Sequence, residues 1–199
     1  GEKCMFWLTL KVRTKGGHGA YPHLSASATR IAADLIVALA EVETIRPALP
    51  PHVSVLLARP AVIDAYDRGL GKGSAEVAQR VTLNIGTLSG GVTVNMLPGE
   101  CDVGVDIRLP PGVTSAQMLE TVRRICARFP EVSIELPPRM PVDPTLSDPA
   151  HPMVGIVQDT VEQLAGYRPA PVISLGGTDC RFWGRRGVPA FVYGPSPEG

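Results

Sequence analysis

The sequence predicts an α+β fold in which a four-stranded antiparallel sheet carries two helices on one face. Four stretches alternate apolar and polar residues with the period of a half-buried strand, and two repeat apolar residues at the three-and-four spacing of an amphipathic helix. Their order is strand, helix, strand, strand, helix, strand. This is the split βαβ or ferredoxin-like arrangement, and it covers residues 5 to 137.

The first strand covers residues 6 to 12 and ends at the glycines of the loop that follows, residues 16 to 23 with the sequence GGHGAYPH. From Leu24 onward the apolar spacing predicts the first helix, and prolines beginning at Pro47 close it. The predicted buried face of this helix consists of Ala28, Ile31, Leu35, Leu39 and Val42.

The segment between the first helix and the second strand is the least regular part of the chain. Residues 53 to 57 are expected to form a short strand. The segment from Arg59 to Gln79 shows no clear period and is expected to be an irregular insertion. Its GLGKGS stretch, residues 69 to 74, lacks the spacing of a phosphate-binding loop, so a flexible loop is predicted there.

The second and third strands are predicted to pair around a glycine loop. Residues 81 to 85 and 101 to 109 alternate, and Ser89-Gly90-Gly91 lies between them, which is typical of an antiparallel pair. Thr114 and Gln117 resemble a capping box at the start of the second helix. The apolar face of that helix consists of Met118, Val122, Ile125 and Phe129.

After the fourth strand, residues 132 to 136, five prolines between residues 136 and 149 predict a domain boundary near residue 140. A third helix is expected from Asp148-Pro149 to Gly166, packed through one apolar face. That face consists of Val154, Val157, Val161 and Leu164.

Beyond Gly166, a strand at 172 to 175, a glycine turn, a short helix and a strand at 191 to 193 indicate part of an α/β sheet. About fifty residues are too few for a whole α/β domain. We therefore expect the chain to be a piece of a longer protein.

The composition excludes several function classes. The 19 basic residues balance 19 acidic ones and are scattered, which argues against a nucleic-acid partner. The sequence shows neither an apolar run that could span a membrane nor a signal peptide, so a soluble, cytoplasmic protein without a membrane partner is expected. The four cysteines show no CxxC spacing and are expected to be free thiols; they are Cys4, Cys101, Cys126 and Cys180.

Several motifs in this order resemble the M20 family of metallopeptidases and deacylases. They are GGHGAYPH after a strand, GGVTVNMLPGE before a strand ending in DIRLP, then SLGGTDCRFW and GVPAFVYGP. Family members include acetylornithine deacetylase, succinyl-diaminopimelate desuccinylase, aminoacylase and glutamate carboxypeptidase. The resemblance implies a zinc-binding α/β catalytic domain interrupted by a ferredoxin-like lid or dimerisation domain. Residues 1 to 140 would then be the lid, and residues 141 to 199 a truncated part of the catalytic domain.

The resemblance also implies roles for three residues of the lid. His18 matches the histidine that, in dimeric members, reaches the partner's active site and stabilises the oxyanion. Asn95, in Asn95-Met96-Leu97-Pro98, and Arg108 match an asparagine and an arginine that bind substrate. From the residues alone, His18 is equally well a loop residue that caps a turn, whereas a turn role is favoured for Asn95 and a solvated strand position for Arg108.

Gly176, Gly177 and Thr178 lie where a strand gives way to a helix, so backbone N–H groups there can face an anion. In the family this turn lines the substrate pocket; the alternative is an ordinary tight turn, with Asp179 as an N-cap. The sequence SLGGTDCRF departs from the serine-rich turn of the desuccinylase branch, which argues against that substrate.

The remaining candidates favour structural roles. His23 is expected to hold the loop or the start of the first helix. His151, near Asp148, lacks a further ligand at suitable spacing and is expected to be a capping or surface residue. The sequence shows neither a serine nucleophile elbow nor a cysteine with an adjacent histidine.

Taken with the resemblance, these observations predict that the parent protein is a metal-dependent amidohydrolase acting on N-acyl amino acids or small peptides. Two zinc or cobalt ions would be bound by residues outside this chain, which would itself hold no metal and be inactive alone. A homodimer through the lid is expected, with the first helix or an edge strand at the interface. The alternative is a non-catalytic ferredoxin-like module that dimerises or binds a small ligand.

Overall fold

A computed structural model of the protein describes residues 1–138 and 142–194. The strands are β1 (Cys4–Arg13), β2 (Gly17–His18), β3 (Thr82–Gly90), β4 (Met96–Leu97), β5 (Glu100–Leu109) and β6 (Val132–Glu135). The helices are α1 (Ala28–Leu39), α2 (Pro51–Leu57), α3 (Pro60–Leu70), α4 (Ser74–Ala78), α5 (Ser115–Cys126), α6 (Pro152–Ala165) and α7 (Cys180–Gly184).

The main sheet has the strand order β3-β5-β1-β6, and every neighbouring pair is antiparallel. The central strand β1 pairs with β5 along its whole length, from Cys4 opposite Leu109 to Arg13 opposite Glu100. The inward residues of β1 pack with α1 and α5 in one core; they are Phe6, Leu8, Leu10 and Val12. The ferredoxin-like prediction is confirmed.

Both predicted helices of this domain are present, and the structure corrects the start of the first. α1 begins at Ala28, whereas Leu24 lies in the preceding loop and is exposed. The capping box of α5 is confirmed: the Thr114 hydroxyl accepts from the Gln117 N–H at 3.2 Å, and the Gln117 side chain accepts from the Thr114 N–H at 3.0 Å.

The prediction of a strand at 53 to 57 and an irregular insertion at 59 to 79 is wrong. These residues form α2, α3 and α4. Val53, Val55 and Leu57 alternate like a strand, but Val53 and Leu57 lie four apart on the buried helix face while Val55 is exposed. Prolines begin both α2 and α3, at the position where a missing N–H removes no helical hydrogen bond.

This helical insertion forms a second core with the C-terminal segment, through residues that include Val62, Ala78 and Ile173. At its centre lies the fully buried Tyr66. The Tyr66 hydroxyl accepts from the Ile173 N–H at 2.6 Å and donates to the Ile173 carbonyl at 3.0 Å. One side chain thus satisfies both backbone polar groups of a buried residue that lies outside any strand.

The C-terminal segment contains fewer regular elements than predicted. α6 begins at Pro152, later than expected, with His151 as the N-cap: its Nδ1 accepts from the Met153 N–H at 3.2 Å, which confirms a capping role. Gly166 ends α6 in the left-handed conformation, as expected. Leu164, assigned to the packed face, is exposed, and Val161 is the buried residue of the helix.

The predicted strands at 172–175 and 191–193 do not occur in the part of the chain that the structure describes. Ser174 forms a single parallel bridge with Glu2, flanked by hydrogen bonds to Gly1 and Lys3. From Cys4 onward the chain turns into the main sheet, so residues 172 to 175 lie beside it over too short a distance to form a ladder. The short helix α7 is present as predicted.

None of the helices in the described ranges is long and apolar enough to cross a lipid bilayer. The longest, α6, has 14 residues, whereas a spanning helix needs about 20.

The four cysteines are free thiols, as predicted, and they differ in burial. Cys4, Cys101 and Cys126 are buried, and burial raises the pKa of the Cys126 thiol to about 11. Cys180 is partly exposed. Because the thiolate is the reactive form, we expect iodoacetamide at pH 8 to modify Cys180 at least about tenfold faster than the other three, as measured by mass spectrometry. Denaturant should equalise the four rates, and rapid native labelling of Cys126 would contradict the buried position.

Candidate functional site

A small two-stranded ladder brings His18 and Asn95 together. β2 pairs with β4, with His18 opposite Met96, and the Gly19 N–H donates to the Asn95 carbonyl at 2.8 Å. A Cβ atom on Gly19 would lie 2.9 Å from the Asn95 oxygen, so a side chain there would push the two loops apart. The glycines of the loop thus permit the close approach that places both candidate residues at one end of the sheet.

His18 is exposed, and its ring nitrogens have different surroundings. Nδ1 accepts a hydrogen bond from the Ala20 N–H at 3.1 Å, and the ring lies 5.5 Å from that of Tyr21. In the neutral imidazole this places the proton on Nε2, which donates to none of the described residues and is a donor suited to an oxyanion. His18 therefore does cap its turn, as the alternative interpretation held, but only through one nitrogen. His23 lies edge-on to Tyr21, with 6.2 Å between the ring centroids.

Arg108 lies at the other end of the sheet. On β5 it is opposite Met5 of β1 and Thr82 of β3. Its Nε and Nη2 donate to Asp106 Oδ2 at 3.0 Å and 2.8 Å. A Cβ atom on Gly177 would lie 3.2 Å from the Met5 side chain, so the Gly176–Thr178 turn packs close to the position of Arg108.

Hydrogen bonds fix this turn and leave one of its amides open. The buried Glu2 carboxylate accepts from the Thr178 N–H and, at 3.3 Å, from the Thr145 hydroxyl. The Gly176 N–H donates to the Ser174 hydroxyl at 3.3 Å. Within residues 1–138 and 142–194 the Gly177 N–H has no acceptor. Of the three predicted anion-binding amides, this one faces a ligand most readily.

The predicted N-cap role of Asp179 is corrected in part. Asp179 occupies the N-cap position of α7, but its side chain makes no capping hydrogen bond. The neighbouring Thr178 hydroxyl accepts from the Cys180 N–H at 3.1 Å instead.

Two buried charged residues, Glu2 and Lys3, support this end of the sheet and were missed from the sequence. Lys3 Nζ donates to the carbonyls of Val77 and Arg80 and to the Thr82 hydroxyl, at 2.9, 2.8 and 3.1 Å. Burial lowers the pKa of Lys3 to about 8. Charged residues just before a strand normally lie in water, so no sequence signal marked them. All three N–H groups of the Lys3 ammonium donate to groups within the fold, so Lys3 is not available to a ligand.

The predicted site residues therefore form two separate groups. His18 and Asn95 lie beyond the Arg13 end of β1, whereas Arg108 and the glycine turn lie beside Met5. The strand between Met5 and Arg13 spans about 26 Å at about 3.3 Å per residue. One copy of the chain therefore does not bring all the predicted residues into a single site.

The described part of the chain contains no cluster of three or more His, Cys, Asp or Glu side chains that could hold a metal ion.

Comparison with known proteins identifies relatives of this chain. A family model described as "Peptidase dimerisation domain" matches residues 1–131. A curated protein named "Probable carboxypeptidase" from Arthroderma otae is 36% identical over 112 residues, which cover 56% of this chain and 20% of that protein.

Solved structures with a similar fold include an M20 family metallo-carboxypeptidase from Sulfolobus solfataricus, with a TM-score of 0.64, 16% identity, and coverage of 89% of this chain and 46% of that one. A tripeptidase from Staphylococcus aureus has a TM-score of 0.59 and 19% identity, with coverage of 94% of this chain and 42% of that one. A hydantoinase/carbamoylase family amidase from Burkholderia ambifaria has a TM-score of 0.57 and 19% identity, with coverage of 95% of this chain and 40% of that one. At these identities the likeness shows the fold alone. The chain spans less than half of each solved relative and a fifth of the curated one.

Proposed function

Since the chain belongs to the family of M20 peptidase dimerisation domains, we propose that its parent protein is a metal-dependent hydrolase that cleaves the amide bond of N-acyl amino acids or small peptides. Residues 1 to 140 form the lid, and residues 141 to 199 belong to the catalytic domain. Two zinc or cobalt ions, held by residues outside this chain, would polarise the scissile carbonyl and lower the pKa of a bound water.

The observation that carries this proposal is the separation of the two groups of site residues along β1. In a dimer with two-fold symmetry, the His18 and Asn95 end of one copy meets the Arg108 and Gly177 end of the other, and two equivalent sites result. The exposed apolar residues of the β3–β5 connection support such a contact, because Val92 and Val94 next to Asn95 are almost fully exposed. Contact with a partner copy would remove the apolar surface of both valines from water, which favours association.

The outer edge of the sheet supplies a surface for dimerisation. β3 is an edge strand, and Val37 of the neighbouring α1 is 76% exposed. An unpaired strand edge with an exposed apolar helix residue beside it favours association with a second copy. This supports the expectation that the first helix or an edge strand lies at the interface.

Each site residue has a chemistry that matches its proposed role. Arg108 binds the substrate carboxylate, because three of its five N–H donors remain unused in the described structure. The Gly177 N–H binds the same end of the substrate. From the partner copy, the His18 Nε2–H stabilises the oxyanion, and the Asn95 amide donates to a substrate carbonyl.

The test is hydrolysis of N-acetyl amino acids by the full-length protein with and without metal. Removal of the metal by a chelator is expected to abolish turnover, and Zn²⁺ or Co²⁺ should restore it. The isolated 199-residue chain is expected to be inactive in the same assay. Full turnover by the metal-free protein would contradict the proposal. A metal-loaded dimer that hydrolyses neither N-acyl amino acids nor peptides would support the non-catalytic binding module instead.

A further inference from the structure

The structure links Arg108 to a second residue, Asp106, which lies two positions earlier on the same face of β5. Asp106 Oδ2 accepts from both Nε and Nη2 of Arg108. Both side chains are partly buried, at 23% exposure for Asp106 and 30% for Arg108. We propose that Asp106 is a positioning residue that fixes the Arg108 guanidinium for binding a substrate carboxylate; this inference rests on the function proposed above.

The donor count of the guanidinium agrees with this role. Asp106 occupies the Nε side of Arg108 and leaves both hydrogens on Nη1 and one on Nη2. A carboxylate is bound most tightly by two parallel N–H groups in a fixed plane. Holding one edge of the guanidinium therefore orients the remaining donors, and less side-chain freedom is lost when the substrate binds.

Asp106 is poorly suited to its position if its role were only to stabilise the sheet. Aspartate is disfavoured in strands, and the buried Oδ1 of Asp106 has no hydrogen-bond partner among the described residues. Its neighbours across the sheet are Trp7 and Asn84, and neither donates to it. Among the described residues the Asp106 carboxylate accepts hydrogen bonds from Arg108 alone, so its hydrogen-bonding effect falls on that guanidinium.

The basic residues around Arg108 also favour a carboxylate at the position of Asp106. Lys3 Nζ donates to the Arg80 carbonyl and to the hydroxyl of Thr82, the residue opposite Arg108, so its positive charge lies near Arg108. Burial and the charges of Arg80 and Arg108 lower the pKa of Lys3, while the carboxylates of Glu43 and Asp106 act in the opposite direction. Repulsion between the basic groups favours a position of Arg108 nearer to water. Asp106 offsets this repulsion and keeps the guanidinium over the sheet, near the Gly177 turn.

The chain offers a matched control at the opposite end of the sheet. Asp102 lies on β5 and accepts from Arg13 of β1 at 2.6 Å, on the same face as Asp106. Asp102→Asn therefore removes an equivalent strand carboxylate from an ion pair that has no proposed part in substrate binding.

The experiment compares the full-length enzyme with its Asp106→Asn and Asp102→Asn variants, using an N-acetyl amino acid and the corresponding amide, which lacks the carboxylate. Asp106→Asn is expected to raise KM for the acid about tenfold, with kcat within about twofold and little change for the amide. Asp102→Asn should leave kcat and KM unchanged for both substrates. Asp106→Glu, which keeps the charge on a longer side chain, should give an intermediate KM for the acid.

A double variant decides whether Asp106 acts through Arg108. Arg108→Ala combined with Asp106→Asn should have the same KM for the acid as Arg108→Ala alone. Additive effects, an unchanged KM in Asp106→Asn, or equal losses for the acid and the amide would overturn the inference while leaving the proposed hydrolase in place. Absence of hydrolysis by the metal-loaded wild type would instead overturn the proposed function, and the inference with it.

Discussion

Replacing His18 by alanine in the full-length protein is expected to lower kcat about 100- to 1000-fold while KM changes less than about threefold. The reason is that, in the proposed function, the Nε2–H of His18 donates to charge that develops only in the transition state. Steady-state kinetics measures both constants. His23→Ala is the control, because His23 lies in the same loop, 6.2 Å from the Tyr21 ring, and has no proposed contact with substrate.

The proposal that two copies share each site makes a stronger version of this test possible. His18→Ala and Arg108→Ala subunits are each expected to form defective dimers, because every site lacks one group. After mixing in equal amounts and exchange of subunits, about half of the dimers contain one of each, and each mixed dimer has one intact site. Activity below KM should then recover to about a quarter of wild type. Absence of recovery after proven subunit exchange would show that both residues act within one copy.

The second large effect is expected at Tyr66. Tyr66→Phe removes the hydroxyl that binds both the N–H and the carbonyl of Ile173, leaving two buried backbone groups without a partner. We expect the free energy of unfolding to fall by about 2 to 4 kcal/mol, measured by denaturant titration. Tyr167→Phe is the control: its hydroxyl bonds to that of Tyr193 on an exposed surface, and its loss should cost less than about 0.5 kcal/mol.

The pH dependence of stability gives an independent check on Tyr66. Burial raises the pKa of Tyr66 to about 12, so the folded state favours the neutral phenol. Its contribution to stability is complete below the unfolded pKa of about 10 and is lost as the pH rises toward 12. Wild type should therefore lose stability over this range more steeply than Tyr66→Phe. Equal slopes in the two proteins would indicate that the hydroxyl is solvated.

The main sheet and its helices could be predicted because their local patterns agree with their burial. The alternation in β1 predicts only a strand, and the capping box of α5 predicts only the start of a helix. Tertiary packing agrees with both predictions. In α2 the local signal is ambiguous, since Val53, Val55 and Leu57 fit a strand as well as a helix and only packing against the second core decides. The strand prediction at residues 172 to 175 is wrong for a different reason. The local apolar pattern is clear there, but an apolar run forms a strand only beside a partner strand.

The sequence names candidate site residues, which stay predictions, but does not give their arrangement. The motifs point to His18, Asn95 and Arg108, yet only the pairing of β2 with β4 shows that the first two are neighbours and that Arg108 is distant. Asp106 carries no separate sequence signal, because a polar residue on the open face of a strand is ordinary. Its significance comes from which atoms it binds and which it leaves free.

The backbone at the start of the chain runs directly beside the C-terminal segment. The Lys3 N–H donates to the Ser174 carbonyl at 3.0 Å, and the Ser174 N–H donates to the Gly1 carbonyl at 2.9 Å. Residues 1 to 3 and Ser174, some 170 positions apart in the sequence, thus lie side by side. A polypeptide closed in this way can be spliced into a host protein without displacing the host's own chain on either side of the junction.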